Sequence, residues 1–265
     1  MKPLRIGRIP WLVCAPYFHG LKNNSNWYFQ DAPPSKLNQL LLTKKIDLAP
    51  TSSFLYGFAP QDFCIIPGIS TSGPLEVQSV ALFCRIKYNP RVPFKLWSTP
   101  DSGTSVRLLK LILEKHLDWT VIEWEDAETA DGCLYIGDDG LKARKDNQWS
   151  EILDLATLWQ DWTGYPFVFG LWLVRKELLK DPAIKKQLLD FTNQVRNNVL
   201  SPIKEIINQW EADFSLPCEK KEAKAFLASL DYKLDLNRLK SLKHFYSLCY
   251  EQGWIESIPE LDFLS

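Results

Sequence analysis

Residues 98–116 read Ser98-Thr-Pro-Asp-Ser-Gly-Thr-Ser105-Val-Arg-Leu-Leu-Lys-Leu-Ile-Leu-Glu-Lys-His116. Lys95-Leu-Trp-Ser98 before it reads as the end of a short strand, and Pro100 to Gly103 as a turn. Val106, Leu109, Ile112 and Leu113 then recur on one face at helical spacing. The spacing predicts a helix starting between Ser102 and Thr104, with Asp, Ser and Thr available as caps and Gly103 letting the backbone turn tightly. A helix start exposes unpaired N–H groups at the positive end of the helix dipole, so such a junction suits a carboxylate or phosphate. A well-capped structural helix in an α/β domain explains the same residues, and only the rest of the chain separates the two readings.

The chain has 265 residues, 46% of them hydrophobic, enough for one large or two small cores. Its net charge of −1 and its Lys/Arg runs of at most two residues argue against a nucleic-acid surface. No apolar run approaches the roughly 18 residues that span a bilayer. Near the N-terminus, Lys2, Arg5 and Arg8 flank an apolar stretch broken by Pro10 and Pro16, which reads as a first strand and not as a signal peptide. A cytoplasmic protein without membrane partners is expected. The cysteines (Cys14, Cys64, Cys84, Cys133, Cys218, Cys249) show no metal-ligand spacing and read as reduced core residues, with Cys14, in a turn, the one to watch. His19, His116 and His244 lie far apart in sequence, so neither a metal site nor a Ser-His-Asp site is expected.

Leu4 to Ile9 reads as a first strand, followed by the turn Pro10-Trp-Leu-Val-Cys-Ala-Pro16 and a short helix over Tyr17 to Leu21. Ile46-Asp-Leu-Ala49 is a buried strand entering Pro50-Thr-Ser-Ser53, a second strand-turn-helix junction with hydroxyls at the helix start. Phe63 to Ile66 is read as strand, Gly68 to Pro74 as loop, and Val77 to Cys84 as a longer strand. Leu155, Leu158, Trp159 and Trp162 form a helical stripe closed by Gly164, and Phe167 to Val174 is the last strong strand. From Lys176 onward the pattern is helical. Strands alternating with helices argue for α/β architecture with largely parallel sheets. The two long strands bracket the middle of the chain. We therefore expect one lobe from residues 1–84 plus 173–265, an inserted lobe from 85–172, and a ligand cleft lined by the turns at the strand ends.

Five segments, in order, resemble the chorismate dehydratase family of the futalosine route to menaquinone. They are Ile6-Gly-Arg-Ile9 with Pro16, Ile46-Asp-Leu-Ala-Pro-Thr-Ser-Ser53, Gly73-Pro74 leading to Ser79-Val80, Thr99-Pro-Asp-Ser-Gly-Thr-Ser105, and Trp159-Gln-Asp-Trp-Thr-Gly-Tyr-Pro-Phe-Val-Phe169. Ile136-Gly-Asp138 also fits. The resemblance implies a two-lobed, type II periplasmic-binding-protein-like fold, with mixed, largely parallel sheets flanked by helices. It also implies a cofactor-free elimination of water from a small anionic substrate, chorismate or a similar carboxylate. In that family proton removal is assigned to the substrate's own side-chain carboxylate. Carried onto this chain, the family's catalytic positions are Val13 and Ser79, and its substrate contacts are Arg8, Thr51, Ser52, Ser53, Ser102, Gly103, Thr104, Ser105, Gly137 and Asp138. Thr104 and Ser105 are expected to hold one carboxylate, and Ser52, Ser53 and Ser79 the other. The family pattern Ser-Tyr-Leu-Asn-x-x-Pro is here Pro10-Trp-Leu-Val-Cys-Ala-Pro16, so Val13 stands where the family has an amide. Two further readings stay open: a two-lobed carboxylate-binding protein without efficient catalysis, and a sister enzyme for another small carboxylate.

Overall fold

A computed structural model describes residues 3–265. In chain order, β1 (Leu4–Arg8) passes through a short 3-10 turn (Leu12–Cys14) into α1 (Ala15–Phe18). Then come β2 (Trp27–Asp31), α2 (Pro34–Leu42), β3 (Leu48–Ser52), α3 (Ser53–Phe58) and the long β4 (Phe63–Gly73). The middle of the chain holds β5 (Val80–Cys84), β6 (Phe94–Ser98), α4 (Thr104–Leu111), β7 (Val121–Glu123), β8 (Gly132–Ile136), α5 (Gly137–Ala143), β9 (Glu151–Asp154) and α6 (Leu155–Thr163). Last come β10 (Phe167–Arg175), α7 (Pro182–Asn198), α8 (Ile203–Asp213), α9 (Lys220–Ser229), β11 (Asp231–Lys233) and α10 (Leu236–Glu251).

The strands form two sheets, in the orders β11-β4-β10-β3-β1-β2 and β7-β6-β8-β5-β9. Each is mixed, but neither is largely parallel as the alternating pattern had implied. Parallel pairing holds over β2-β1-β3 and β7-β6-β8, while β10 and β5 run against both of their neighbours. A strand that crosses in from the other sheet need not obey the βαβ crossover that makes neighbours parallel.

The crossings do not fall where they were expected. Val80–Cys84, placed in the first lobe, pairs with β8 and β9 of the second sheet. Phe167 onward, placed in the inserted lobe, pairs with β3 and β4 of the first. The chain thus leaves the first sheet between Gly73 and Val80 and re-enters it at Phe167. The C-terminal segment completes the first sheet: β11 extends its edge beside β4, and Phe263 bridges Ile65. Helix α7 packs on α1 and β4, and α10 on β10, α3 and α4.

Local chemistry accounts for the elements that carry the cleft. Leu109, Ile112 and Leu113, expected inward, are fully buried together with Leu108 and Leu111. Gly164 ends α6 with φ of 76°, the left-handed C-cap foreseen from the sequence. Of the region read as loop at Gly68 to Pro74, Gly68 to Gly73 is instead the second half of β4. Its strand geometry depends on β10 and β11, partners far away in the chain.

Candidate functional site between the two sheets

The cleft lies where the strand ends of the two sheets face each other, and it encloses about 700 Å³ counting its open mouth. From the first sheet it receives Thr51 and Ser52 at the end of β3, Thr71 and Ser72 at the end of β4, and Phe169 and Gly170 in β10. The second lobe supplies Ser79 just ahead of β5, Ile136 at the end of β8 and Gly137 at the start of α5, and the turn into α4 supplies Ser102 to Ser105. Val13 and Trp11 line it from the turn after β1.

The opening junction forms as the sequence implied. Helix α4 starts at Thr104, and the Ser102 hydroxyl accepts the Ser105 N–H at 2.9 Å. Thr104 does not look into an open anion site, however. Its Oγ1 lies 2.6 Å from Ser52 Oγ and 3.3 Å from Ser53 Oγ, and it accepts the Phe54 N–H at 3.0 Å. Thr104 from one expected carboxylate site and Ser52 and Ser53 from the other are therefore joined in a cluster that ties the sheets together. The approach is close enough that a Cβ on Gly103 would sit 2.8 Å from Ser52 Oγ. Arg107 reinforces the contact from α4, with its guanidinium 3.6 Å from the centre of the Phe54 ring.

Two hydroxyls are left free for a ligand. Ser79 and Ser105 are 3% and 6% exposed and line the cleft, and their Oγ atoms have no protein partner among the described residues. Ser79 is held by an unusual loop. Gln78, next to it, has φ of 59°, a left-handed conformation that a residue with a Cβ adopts at a cost. The buried Asp154 carboxylate accepts the N–H groups of Val77 and Gln78, and also those of Ala156 and Thr157 at the start of α6. Arg144 donates to Gln78 O and to Asp154. The strain is thus locked in by one carboxylate and one guanidinium.

Three expected contacts are not in the cleft. Arg8 sits directly across from Asp31 in the β1–β2 ladder, so that carboxylate takes its guanidinium at 2.6 and 2.9 Å, between the Phe29 and Phe214 rings. Ser53 is fully buried behind the wall and donates to Val168 O at 2.7 Å. Asp138 lies at the start of α5, but its Oδ1 is turned to the first lobe and accepts the Leu12 N–H at 2.9 Å. Gly137 does line the cleft. Its φ is 58°, and a Cβ there would lie 2.4 Å from the Trp11 ring, so only glycine admits this approach.

Burial raises the Asp138 carboxyl from 3.8 to about 6; the Leu12 N–H and Lys142 oppose the rise and Asp139 adds to it. A carboxyl raised by folding favours the folded state while protonated, so that contribution is present below about pH 4 and is lost as the pH climbs to about 6. Asp138→Asn keeps an acceptor for Leu12. It should gain about 1–3 kcal/mol at pH 7.5 and nothing at pH 4, as read from urea unfolding at the two pH values. Equal effects at both would contradict it.

Burial also pushes the Cys14 thiol up, with the charge of Asp138 adding to it, so Cys14 stays a neutral wall residue and not a nucleophile. All six cysteines are unpaired, and five of them are buried. Sequence reasoning missed Thr71, Trp11 and Phe169 as cleft residues. Phe169 stood in a matching segment and Trp11 in the stretch that departs from the family pattern, whereas Thr71 fell in a stretch read as loop.

Comparison with known proteins settles the affiliation. Residues 4–251 match the sequence profile described as menaquinone biosynthesis. The chain belongs to the menaquinone biosynthesis family. A member of similar sequence is the chorismate dehydratase of Thermus thermophilus, 29% identical over 228 residues that cover 78% of this chain and 81% of that one. The fold is periplasmic-binding-protein-like. A protein of Archaeoglobus fulgidus aligns over 96% of this chain and 99% of its own at a TM-score of 0.74 and 16% identity. The ligand-binding component of an ABC-type import system from Staphylococcus aureus aligns over 100% and 97% at 0.71 and 14%. The periplasmic aliphatic sulphonate binding protein of Escherichia coli aligns over 98% and 91% at 0.65 and 16%. This menaquinone-family chain thus shares their fold.

Proposed function

We propose that this protein is a chorismate dehydratase acting in the cytoplasm: it removes water from chorismate to give 3-[(1-carboxyvinyl)oxy]benzoate for menaquinone biosynthesis. The observation that carries the reading is the chemistry of the cleft wall. Its polar lining consists of hydroxyls, backbone groups, the Trp11 indole and the neutral Cys14 thiol, with no carboxylate, imidazole or amine among the described residues. An elimination that aromatises a ring supplies its own driving force, and chorismate brings a carboxylate on its side chain. The ring carbon that bears the ether oxygen gives its proton to that carboxylate, the electron pair becomes the last ring double bond, and the hydroxyl on the neighbouring carbon leaves, taking up the proton from the carboxylic acid so formed and departing as water. The protein holds the reactive pose and donates hydrogen bonds as negative charge moves to the departing oxygen. Ser79 and Ser105 are the free donors for this. The apolar wall of Ile9, Trp11, Val13 and Phe169 packs against the ring and keeps water out.

The test is purified protein incubated with chorismate and followed for the ultraviolet absorbance of the aromatic product. A companion variant addresses the apolar position. Val13 is partly buried in the cleft wall, with its carbonyl held by Tyr232 at 2.8 Å, so the backbone there stays put when the side chain changes. Val13→Asn is expected to raise turnover, because it adds an amide facing the reacting oxygens. The amide costs about 1–3 kcal/mol of stability in the free protein where it finds no partner. A variant that is less stable and no faster would show that the amide has nothing to meet.

A further inference from the structure

Tyr17 is 0% exposed, and its hydroxyl has one partner among the described residues, Thr71 Oγ1 at 2.8 Å. Geometry alone leaves open which oxygen donates, but burial decides it. If Thr71 donated, the Tyr17 O–H would be left unpaired in a core of Trp172 and Tyr232 rings, the costly arrangement that folded proteins avoid. Tyr17 therefore donates and Thr71 accepts. Thr71 is only partly buried, it lines the cleft, and its backbone is pinned in the ladder opposite Gly170. Its own proton has no protein acceptor among the described residues and is left to the cleft.

We infer that Thr71 is a substrate-facing hydrogen-bond donor, its proton aimed into the cleft by the buried phenol of Tyr17, and that it meets an oxygen of the small hydroxy acid bound there. The identity of that substrate rests on the dehydratase reading. The pair donates a hydrogen bond without passing a proton on. Burial holds the Tyr17 phenol well above its ordinary titration range, so a phenolate left behind by proton transfer would be unfavourable. The phenol's contribution is polarisation, since a hydroxyl that accepts a hydrogen bond donates a stronger one.

The experiment compares wild type, Thr71→Val, Thr71→Ser, Tyr17→Phe and the Thr71→Val/Tyr17→Phe pair, by chorismate turnover and by urea unfolding of the free protein. Thr71→Val should lower kcat/KM at least tenfold and Thr71→Ser should retain most of it. Tyr17→Phe should lower kcat/KM severalfold, and the pair should be no worse than Thr71→Val alone. In urea, Thr71→Val should unfold at a lower midpoint than Tyr17→Phe, because it orphans the buried phenol, and the pair should recover part of the loss. An active wild type with an equally active Thr71→Val or Tyr17→Phe overturns the inference and leaves the dehydratase reading standing. A wild type inert toward chorismate overturns that reading, and the urea series then decides alone. Thr71→Val no less stable than Tyr17→Phe would refute the donor assignment.

Discussion

Ser79→Ala should lower chorismate turnover by about 10²–10³-fold, the usual loss for one preorganised donor at a site of developing charge, with unfolding barely changed. The two halves of this expectation have one cause. Ser79 is 3% exposed, yet its hydroxyl contacts no protein acceptor among the described residues. Removing it deletes no internal hydrogen bond, and the alanine methyl fills nearly the same space, so the stability change should stay within about 0.5 kcal/mol. A group that the fold does not use, held by a strained neighbour at Gln78, has its value in the ligand complex. Steady-state kinetics and a urea curve on the same preparation check both halves. A variant with wild-type turnover would move the chemistry to Ser105 or Thr71, and one that unfolds early would make Ser79 a structural residue.

How far the sequence carries such an argument depends on how local the determinants are. The strand-turn-helix that opens at Ser98 and the cap at Gly164 are written in neighbouring residues, and both stand in the structure as read, although α4 gives way to a π-helical stretch over Ile112–His116. Helix α9 had a local signal that went unused, the capping box between Glu219 and Glu222. The second half of β4 had none: Gly68 to Pro74 is turn-rich in composition, and only β10 and β11, more than ninety residues on, make it a strand. With that strand went Thr71. The lobe boundary was illegible for a similar reason. Val77 to Cys84 reads as one strand, and the break inside it comes from the left-handed Gln78, which tertiary contacts with Asp154 and Arg144 hold in place. Arg8 and Asp138 failed as cleft residues because each found a partner across a ladder or between lobes. A resemblance transfers a position but not the direction its side chain takes.

Asp154→Ala should be the most destabilising single change around the cleft, costing about 3–5 kcal/mol. The carboxylate is buried and accepts from Val77, Gln78, Ala156 and Thr157 N–H groups, with Arg144 Nη2 at 3.3 Å. Loss of the α6 cap accounts for about 1 kcal/mol. Leaving the Val77 and Gln78 N–H groups unpaired adds about 1–3 kcal/mol each where water cannot reach them, though not additively, while Arg144 keeps Glu76 and Gln78 O as partners. Burial raises the Asp154 carboxyl, and the N–H groups of Thr157, Val77 and Gln78 together with Arg144 pull it back. The site is therefore built around an oxygen acceptor more than around a charge. Asp154→Asn, which keeps one such oxygen, should lose less than half as much as the alanine. Function should follow geometry: once Val77 and Gln78 are released, the left-handed turn relaxes and Ser79 leaves its place. Turnover measured well below the unfolding temperature should then fall at least tenfold, although Asp154 is not itself among the residues lining the cleft. Chemical denaturation of both variants beside their kinetics tests the chain of cause. An alanine variant as stable as wild type would remove the carboxylate from the account. One that is unstable but fully active when folded would show that Ser79 holds its position without it.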